Sequence, residues 1–391
     1  MIDETLYQSG TKPSTIFQLF EYGLKQAAVV GRENVYDYSL GNPSVPAPQQ
    51  VTDAFQRLLG QEDPVSLHGY TPAAGALDVR QSIAADLSAR SGMDIRPQNL
   101  FLTCGAAPAL LYVLRALAVA QAEVIAITPY FPEYRVYAEA CGMRFVPTQA
   151  DLDQFQINLT SLEDCITPHT QAVIVNSPNN PSGAVYSRET LQKLAEVLAR
   201  KSKEIGRPIY IIADEPYREL VYDGADVPFI PSIYPDTVVC YSYSKSLSLP
   251  GERLGYFCVP DGAADSPRLY TAACAAARMM GHVCAPALQQ RVISACTGIR
   301  PQLEVYDRNR RTLYDALTSY GYRCVYPSGA FYLFVEAPGG SARAFSDRAK
   351  EHNLLVVPGD DFGCPAFFRL STCVDSDMVE RSLPVFQRLA E

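Results

Sequence analysis

Short apolar runs alternate with longer segments of helical period between about residues 99 and 259. The runs are NLFLT, EVIAIT, QAVIVN, PIYIIAD, TVVCYS and LGYFCV, and the segments between them include ALLYVLRALA and RETLQKLAEVLARK. Strands that are apolar throughout and separated by helices are typical of a parallel sheet covered on both faces. The pattern therefore predicts an α/β fold, in which ligands bind at the carboxyl ends of the strands.

The pattern changes after Cys284. A long helical stretch over residues 285–321 leads into the runs YRCVY, AFYLFVE, LLVVP and AFFRLS, which predict a smaller α+β domain. The N-terminal segment has no βα repeat and ends in a strand-like VYDYSL before the turn-rich GNPSVPAP, so we expect it to pack on that small domain. The predicted division is a large domain over 46–287 and a small domain formed by 1–45 and 288–391.

Composition excludes several classes of protein. The chain has 391 residues, more than one hydrophobic core usually organises, so two domains are expected. Hydrophobic residues make up 48% of the chain, which suits a globular protein. The net charge of −9 comes without a long basic run, which argues against nucleic acid as a partner. Neither a signal peptide nor a membrane span is apparent. The 11 cysteines lack a CxxC pair, so we expect free thiols, no metal site and a cytoplasmic location.

The segment SYSKSLSLPGERLGY is the strongest candidate for chemistry. Lys245 follows a strand, with Ser242 and Ser244 before it and Arg253 eight positions later. A desolvated lysine has a lowered pKa and becomes nucleophilic toward an aldehyde. Arginine and serine hydroxyls can bind a phosphate. A lone lysine in a loop is usually only a solvent-exposed residue, so its neighbours carry the argument.

Two polar residues close apolar strands that precede Lys245. Asp214 ends PIYIIAD, with Tyr217 three positions on, and an acid in that position needs a positive partner such as a protonated pyridine nitrogen. A helix N-cap is the alternative for Asp214, and a core position is the alternative for Tyr217. Asn176 ends QAVIVN, where its amide can donate to a phenolic oxygen or form an Asx-turn.

The segment LTCGAAPALLYVLRAL indicates a strand, a glycine-containing turn and a helix. The free amides of Gly105, Ala106 and Ala107 would then lie at a helix N-terminus, where a phosphate can bind. The segment lacks the GxGxxG spacing of a dinucleotide-binding fold.

The order and spacing of Asn176, Asp214, Tyr217, Lys245 and Arg253 resemble the class I/II aminotransferases, which are fold type I pyridoxal-phosphate enzymes of the aspartate aminotransferase superfamily. The resemblance covers nearly the whole chain, from LGNPSVPAP through HGYTPAAGALDVRQSIA and TPYFPEY to FRLST. It implies a fold type I transferase with a mostly parallel sheet, pyridoxal 5′-phosphate as cofactor, and transfer of an α-amino group from an amino acid to a 2-oxo acid.

By that resemblance, Lys245, Asp214 and Tyr217 are the catalytic residues. Lys245 would hold the cofactor as a Schiff base and move a proton, and Asp214 would pair with the pyridine nitrogen. Asn176 and Tyr217 would contact the ring hydroxyl, and Phe131 would stack on the ring.

The resemblance also implies where the charged ends of cofactor and substrate bind. The phosphate would contact Tyr70 of a second subunit in a homodimer, together with the residues Gly105, Ala106, Ala107, Ser242, Ser244 and Arg253. Arg369 would clamp the substrate α-carboxylate, assisted by Asn176 and the backbone of Gly41.

Several features leave the reaction and the substrate open. Ala107 stands where many relatives have a hydroxyl or a lysine, Pro216 replaces a commoner apolar residue, and LGNPSVP lacks a second glycine. The same apparatus serves carbon–sulfur β-lyases and decarboxylases, and a regulator with an aminotransferase-like domain is the non-enzyme alternative. Arg278 is a candidate for a distal carboxylate or part of a solvated helix face. Cys104 and Cys364 are expected to be structural thiols.

Overall fold

The apolar runs form the strands of one large sheet in a computed structural model that describes residues 2, 4–11 and 14–390. In chain order the strands are β1 (Tyr36–Asp37), β2 (Leu100–Thr103), β3 (Glu123–Ala126), β4 (Arg144–Pro147), β5 (Thr170–Asn176), β6 (Tyr210–Asp214), β7 (Thr237–Ser242), β8 (Gly255–Cys258), β9 (Tyr332–Glu336), β10 (Leu354–Leu355), β11 (Val357–Pro358) and β12 (Phe367–Ser371). The helices are α1 (Glu4–Thr11), α2 (Thr15–Val30), α3 (Gln49–Gln61), α4 (Pro64–His68), α5 (Leu77–Ser91), α6 (Ala106–Leu117), α7 (Glu133–Ala140), α8 (Leu159–Cys165), α9 (Arg188–Ile205), α10 (Tyr243–Ser246), α11 (Ser266–Met279), α12 (Ala287–Cys296), α13 (Glu304–Ser319), α14 (Ala342–Lys350) and α15 (Ser376–Leu389).

The large sheet has the order β2-β8-β7-β6-β5-β3-β4 and is mostly parallel, as predicted. Strand β8 is the exception, because it runs antiparallel to both β7 and β2. A parallel crossover needs a long connection, usually a full helix. Only the short helix α10 and a turn join β7 to β8, so the chain reverses direction there.

Both faces of this sheet are buried. Neighbouring residues of β6 face opposite sides: Ile211 packs in a cluster with α3, α5, α9 and α12, and Ile212 packs in a cluster with α6, α7 and α11. The residue pairing aligns the strand ends, so Asn176 lies directly opposite Asp214. The sheet therefore brings polar side chains from successive strands to one edge.

A second group of elements holds the smaller sheets. Strands β11, β12 and β9 form an antiparallel sheet, and β1 pairs with β10. The predicted helical stretch 285–321 is divided into α12 and α13 by a segment that contains Pro301, which cannot donate a helical hydrogen bond. The predicted strand YRCVY contributes only an isolated bridge between Cys324 and Val335.

The predicted domain boundaries stay a proposal, with one refinement. Tyr36 and Tyr38 pack in the cluster of the smaller sheets, as expected for the N-terminal segment. By contrast, Val292 and Ile293 of α12 belong to the core on the large sheet. We therefore propose that the C-terminal part of the small domain begins after α12 rather than at residue 288.

Candidate active site

A cavity of about 470 Å³ opens where β5, β6 and β7 end. The polar residues Asn176, Asp214 and Ser242 close these three strands and line it. Its other walls come from the N-terminal segment and the small antiparallel sheet, through residues such as Phe17 and Tyr332. The cavity thus lies between the large sheet and the second group of elements.

Asn176 and Asp214 are joined across neighbouring strands. The Asn176 side chain donates from Nδ2 to the Asp214 carbonyl oxygen over 2.9 Å and accepts at Oδ1 from the Asn180 amide over 2.8 Å. These bonds hold the amide at the cavity wall and fix the turn that follows β5. The predicted contact between Asn176 and a ring hydroxyl stays a prediction.

The Asp214 carboxylate is buried and only half satisfied. Tyr134 donates its hydroxyl hydrogen to Oδ2, whereas Oδ1 has no hydrogen-bond partner among the described residues. Burial raises the pKa of Asp214 to about 7, and the bond from Tyr134 opposes that shift. A buried carboxylate with one unpaired oxygen suits a positively charged partner inside the cavity.

Lys245 lies on α10, directly after β7, and its side chain crosses to the N-terminal segment. The Nζ atom donates to the carbonyl oxygen of Gly41 over 2.7 Å. Burial lowers the pKa of Lys245 to about 8, and the nearby charges of Arg369 and Arg253 act in the same direction. A large fraction of this amine is therefore neutral at mildly alkaline pH, the form that attacks carbonyl groups.

The predicted phosphate residues meet at the N-terminus of α6. Gly105 precedes this helix with φ of +98°, and a Cβ added there would lie 2.7 Å from Arg253 Nη2. Arg253 Nη1 reaches Ser244 Oγ at 3.4 Å, and the hydroxyls of Ser242 and Ser244 are 2.8 Å apart. Ala106 and Ala107, in the first turn of α6, line the cavity. Free helix amides, two hydroxyls and a guanidinium together form an anion site.

Arg369 occupies the opposite side of the cavity, in the middle of β12. Its side chain is 1% exposed and lies against the rings of Tyr332 at 4.6 Å and Phe362 at 5.2 Å. It donates to Ser39 O over 2.6 Å and to Asn180 Oδ1 over 3.0 Å, while Nε has no partner among the described residues. A fixed guanidinium with a free nitrogen at a cavity wall can bind a carboxylate.

Two aromatic residues complete the predicted set on the cavity wall. Phe131 lines the cavity and meets the edge of Tyr134, with ring centroids 5.7 Å apart. Tyr217 is buried, and its hydroxyl lies 3.0 Å from the hydroxyl of Tyr332. The Phe131 ring is thus held by a local contact, whereas Tyr217 is held by a contact between residues 115 positions apart.

Some residues considered from the sequence lie away from this cavity. Tyr70 is 90% exposed. Arg278 is exposed in the last turn of α11. Burial raises the pKa of Cys104, and that of Cys364 to about 12, so both are neutral thiols at physiological pH. In the described part of the chain, no group of three or more candidate ligands is arranged to hold a metal ion.

Sequence reasoning missed several residues that the fold brings to the site. The asparagine bonded to Arg369 is Asn180 rather than Asn176. The sequence signal that could have identified it is its position in the proline-rich segment SPNNPSG, directly after β5. Tyr134 is the last residue of the segment TPYFPEY, but the sequence pattern assigns it no role. The N-terminal residues Ile16 and Phe17, which line the cavity, gave no signal in the sequence.

Comparisons with known proteins relate this chain to one family of enzymes. The family model described as aminotransferase class I and II matches residues 33–385. The chain is 30% identical over 387 residues to aspartate aminotransferase of Geobacillus stearothermophilus, covering 94% of each protein. It is 27% identical over 392 residues to aromatic-amino-acid aminotransferase 2 of Thermococcus litoralis, covering 96% of this chain and 95% of that protein.

Solved structures give the same result. An amino transferase from Eubacterium rectale is 52% identical, with a TM-score of 0.97 over 100% of this chain and 98% of that one. Aspartate aminotransferase of Thermus thermophilus with maleate is 26% identical, with a TM-score of 0.86 over 97% of both chains.

Proposed function

The chain belongs to the class I and II aminotransferases and is an enzyme of amino-group transfer, and from this premise we propose that its cavity holds pyridoxal 5′-phosphate on Lys245 and an amino acid on Arg369. One observation carries the proposal: a single cavity contains an amine of lowered pKa, a carboxylate with an unpaired oxygen and an arginine with an unpaired nitrogen. These are the partners that an aldehyde, a pyridine nitrogen and a substrate carboxylate require.

Lys245 supplies the nucleophile and the proton carrier. Its neutral amine would hold the cofactor at the aldehyde carbon, and once the substrate amine has displaced it, the same Nζ would move a proton from the substrate Cα to that cofactor carbon. The Gly41 carbonyl, which accepts from Nζ over 2.7 Å, keeps the amine on the cavity side of α10. A pKa near 8 lets the amine both accept and give up a proton near neutral pH.

Asp214 fixes the cofactor ring through the oxygen that the protein leaves unpaired. When bound, the ring withdraws electrons from the bond that breaks at the substrate Cα. Asp214 favours the protonated ring nitrogen, because a buried carboxylate gains most from an adjacent positive charge. Phe131 and Tyr217, both on the cavity lining, would contact the ring face and the ring hydroxyl.

The anion site at the start of α6 would take the phosphate. Gly105 lets the backbone approach Arg253 closely, and the two serine hydroxyls complete the donors. On the substrate side, Arg369 would bind the α-carboxylate, and we propose that Asn180 assists it. The backbone of Gly41 borders the same space.

We also propose that the active form is a homodimer. Tyr70 is 90% exposed, and the apolar side chains of Val65, Met279 and Val283 are 81%, 75% and 62% exposed. A second copy would cover this surface and bring Tyr70 to the phosphate of the neighbouring site. Mixing inactive Lys245→Ala protein with the weakened Tyr70→Ala protein should raise activity above the sum of the two, because one site in each mixed dimer carries both native residues. Mixtures that exchange subunits and show only the summed activity of their components would contradict shared sites.

The cellular location stays a proposal as well. All 11 cysteines are free in the described residues, and free thiols suit a reducing compartment, so we propose the cytoplasm. Among the described helices, none has the length and apolar character needed to cross a bilayer.

The reaction is tested with purified enzyme, pyridoxal phosphate, a panel of amino donors and one 2-oxo acid. We expect donor consumption to depend on the 2-oxo acid, and Lys245→Ala to lose both the visible absorbance of the lysine-bound cofactor and the activity. Arg310→Lys, a change at a buried arginine outside the cavity lining, is the control for folding. Release of ammonia from a donor without any 2-oxo acid, or an active Lys245→Ala enzyme, would overturn the proposal.

A further inference from the structure

Tyr134 makes a buried tertiary contact with the carboxylate that faces the cavity. Tyr134 is 2% exposed and Asp214 is 5% exposed, and the two residues are 80 positions apart in the chain. Tyr134 lies in the first turn of α7, while Asp214 ends β6. Because the hydroxyl occupies Oδ2, the carboxylate has one oxygen fixed by the protein and one left for a ligand.

The surroundings of Asp214 make this donor important. Burial favours the neutral acid, and the neighbouring Glu215 adds to the same effect, whereas the Tyr134 hydroxyl favours the charged form. Other titratable groups that interact with Asp214 are Tyr137, Tyr217 and Cys240, and burial raises the pKa of each. None of these groups replaces the donor among the described residues, because Oδ1 has no hydrogen-bond partner and the bond to Oδ2 comes from Tyr134.

We propose that Tyr134 is a positioning residue, whose hydroxyl keeps the Asp214 carboxylate ionised and directs Oδ1 toward the ring nitrogen of the cofactor. The inference rests on the proposed function, because it assumes that the cavity holds this ring. A carboxylate that loses its buried donor binds a proton more readily, and the protonated acid cannot form an ion pair.

The chain offers a matched control in another buried tyrosine. Tyr186 is also fully buried, and its hydroxyl has no hydrogen-bond partner among the described residues. Tyr134→Phe and Tyr186→Phe each remove one buried oxygen and keep the ring. Only the first change removes a bond to Asp214.

The test measures the dissociation constant of pyridoxal phosphate by visible absorbance, with apoenzyme of the wild type and of both variants between pH 6 and pH 9. For Tyr134→Phe we expect affinity to fall about 10- to 150-fold at pH 6.5, the range that corresponds to loss of a hydrogen bond to a charged group. The loss should shrink as the pH rises, because Asp214 ionises at high pH even without the donor. Tyr186→Phe should stay within about twofold of the wild type at every pH.

A second measurement separates a positioning role from a structural one. In an Asp214→Asn background, Tyr134→Phe should change affinity less than about threefold, since no carboxylate remains to be held. A loss that is independent of pH, that persists in the Asp214→Asn background, or that Tyr186→Phe reproduces would overturn the inference. A wild-type protein that does not bind the cofactor would instead overturn the proposed function.

Discussion

Replacing Arg369 by lysine keeps the positive charge and removes the planar guanidinium from the substrate end of the cavity. In the native protein two nitrogens of Arg369 are held by Ser39 O and Asn180 Oδ1, and the guanidinium lies 4.6 Å from the centre of the Tyr332 ring. Lysine has a single ammonium on a flexible stem and cannot make these contacts at once. The substrate carboxylate would therefore lose its paired hydrogen bonds.

The size of the effect follows from those bonds. A hydrogen bond to a charged group contributes about 1.5–3 kcal/mol, and lysine can keep at most one of the two that a guanidinium gives a carboxylate. The loss of about 1.5–3 kcal/mol corresponds to a decrease of about 10- to 150-fold in kcat/KM. Amino donor and 2-oxo acid should both be affected, because both carry the same carboxylate.

The assay compares steady-state kcat/KM for one amino donor and for an amine that lacks the carboxylate. Arg310→Lys is the matched control: Arg310 is also 1% exposed, and it lies 4.3 Å from the Tyr222 ring. It should lower the melting temperature without lowering kcat/KM. If Arg369→Lys left kcat/KM for the amino acid within about threefold of the wild type, or slowed the amine equally, Arg369 would not be the carboxylate clamp.

Four further tests address other parts of the protein. Gly105→Ala places a Cβ against Arg253 at a positive φ, so pyridoxal phosphate should bind about tenfold more weakly in an absorbance titration, and an unchanged affinity would contradict the proposed phosphate site. Because burial lowers the pKa of Lys245 to about 8, the rate of cofactor attachment to apoenzyme should rise with pH through 8; a rate independent of pH from 6.5 to 9.5 would contradict this. Because the pKa of Lys245 is lower in the folded apoenzyme than in the unfolded chain, the unfolded chain binds more protons between pH 8 and about 10.4. The free energy of unfolding in urea should therefore rise with pH over this window relative to that of Lys245→Met. Glu133 lines the cavity, where its negative charge would repel the second carboxylate of a dicarboxylic donor. Glu133→Gln should therefore raise kcat/KM for dicarboxylic donors about three- to tenfold relative to neutral donors, whereas the exposed Glu139→Gln should not alter this ratio.

The parts of the fold that the sequence predicted are those built from long apolar runs. Runs such as PIYIIAD are buried on both faces of the sheet. Such a run is apolar whichever strands lie beside it, so it can be recognised before its neighbours are known. Strand β4 escaped notice because Arg144 and Pro147 at its ends are exposed on an edge strand. The direction of β8 depends on the length of its connection, which apolar patterning does not encode.

The residues of the site also differ in how far the sequence identifies them. Lys245 and Asp214 were recognisable because each lies at the end of a strand, and strand ends of a parallel sheet meet at one edge. Asn180 and Arg369 are 189 positions apart, and the contact between them depends on how the small sheet packs on the large one. Periodicity and spacing describe neighbours along one element, so contacts of this kind need the folded structure.

The walls of the cavity have different origins along the chain. Its floor belongs to the large sheet, while Phe17, Leu40 and Tyr332 come from the N-terminal segment and the small antiparallel sheet. The side chains of these three residues can therefore be substituted without altering the strands next to the reactive lysine. For enzyme engineering, this separation makes Ile16, Phe17 and Leu40 natural positions to vary when a new amino donor is wanted, with the catalytic floor and the carbonyl groups of Ser39 and Gly41 kept constant.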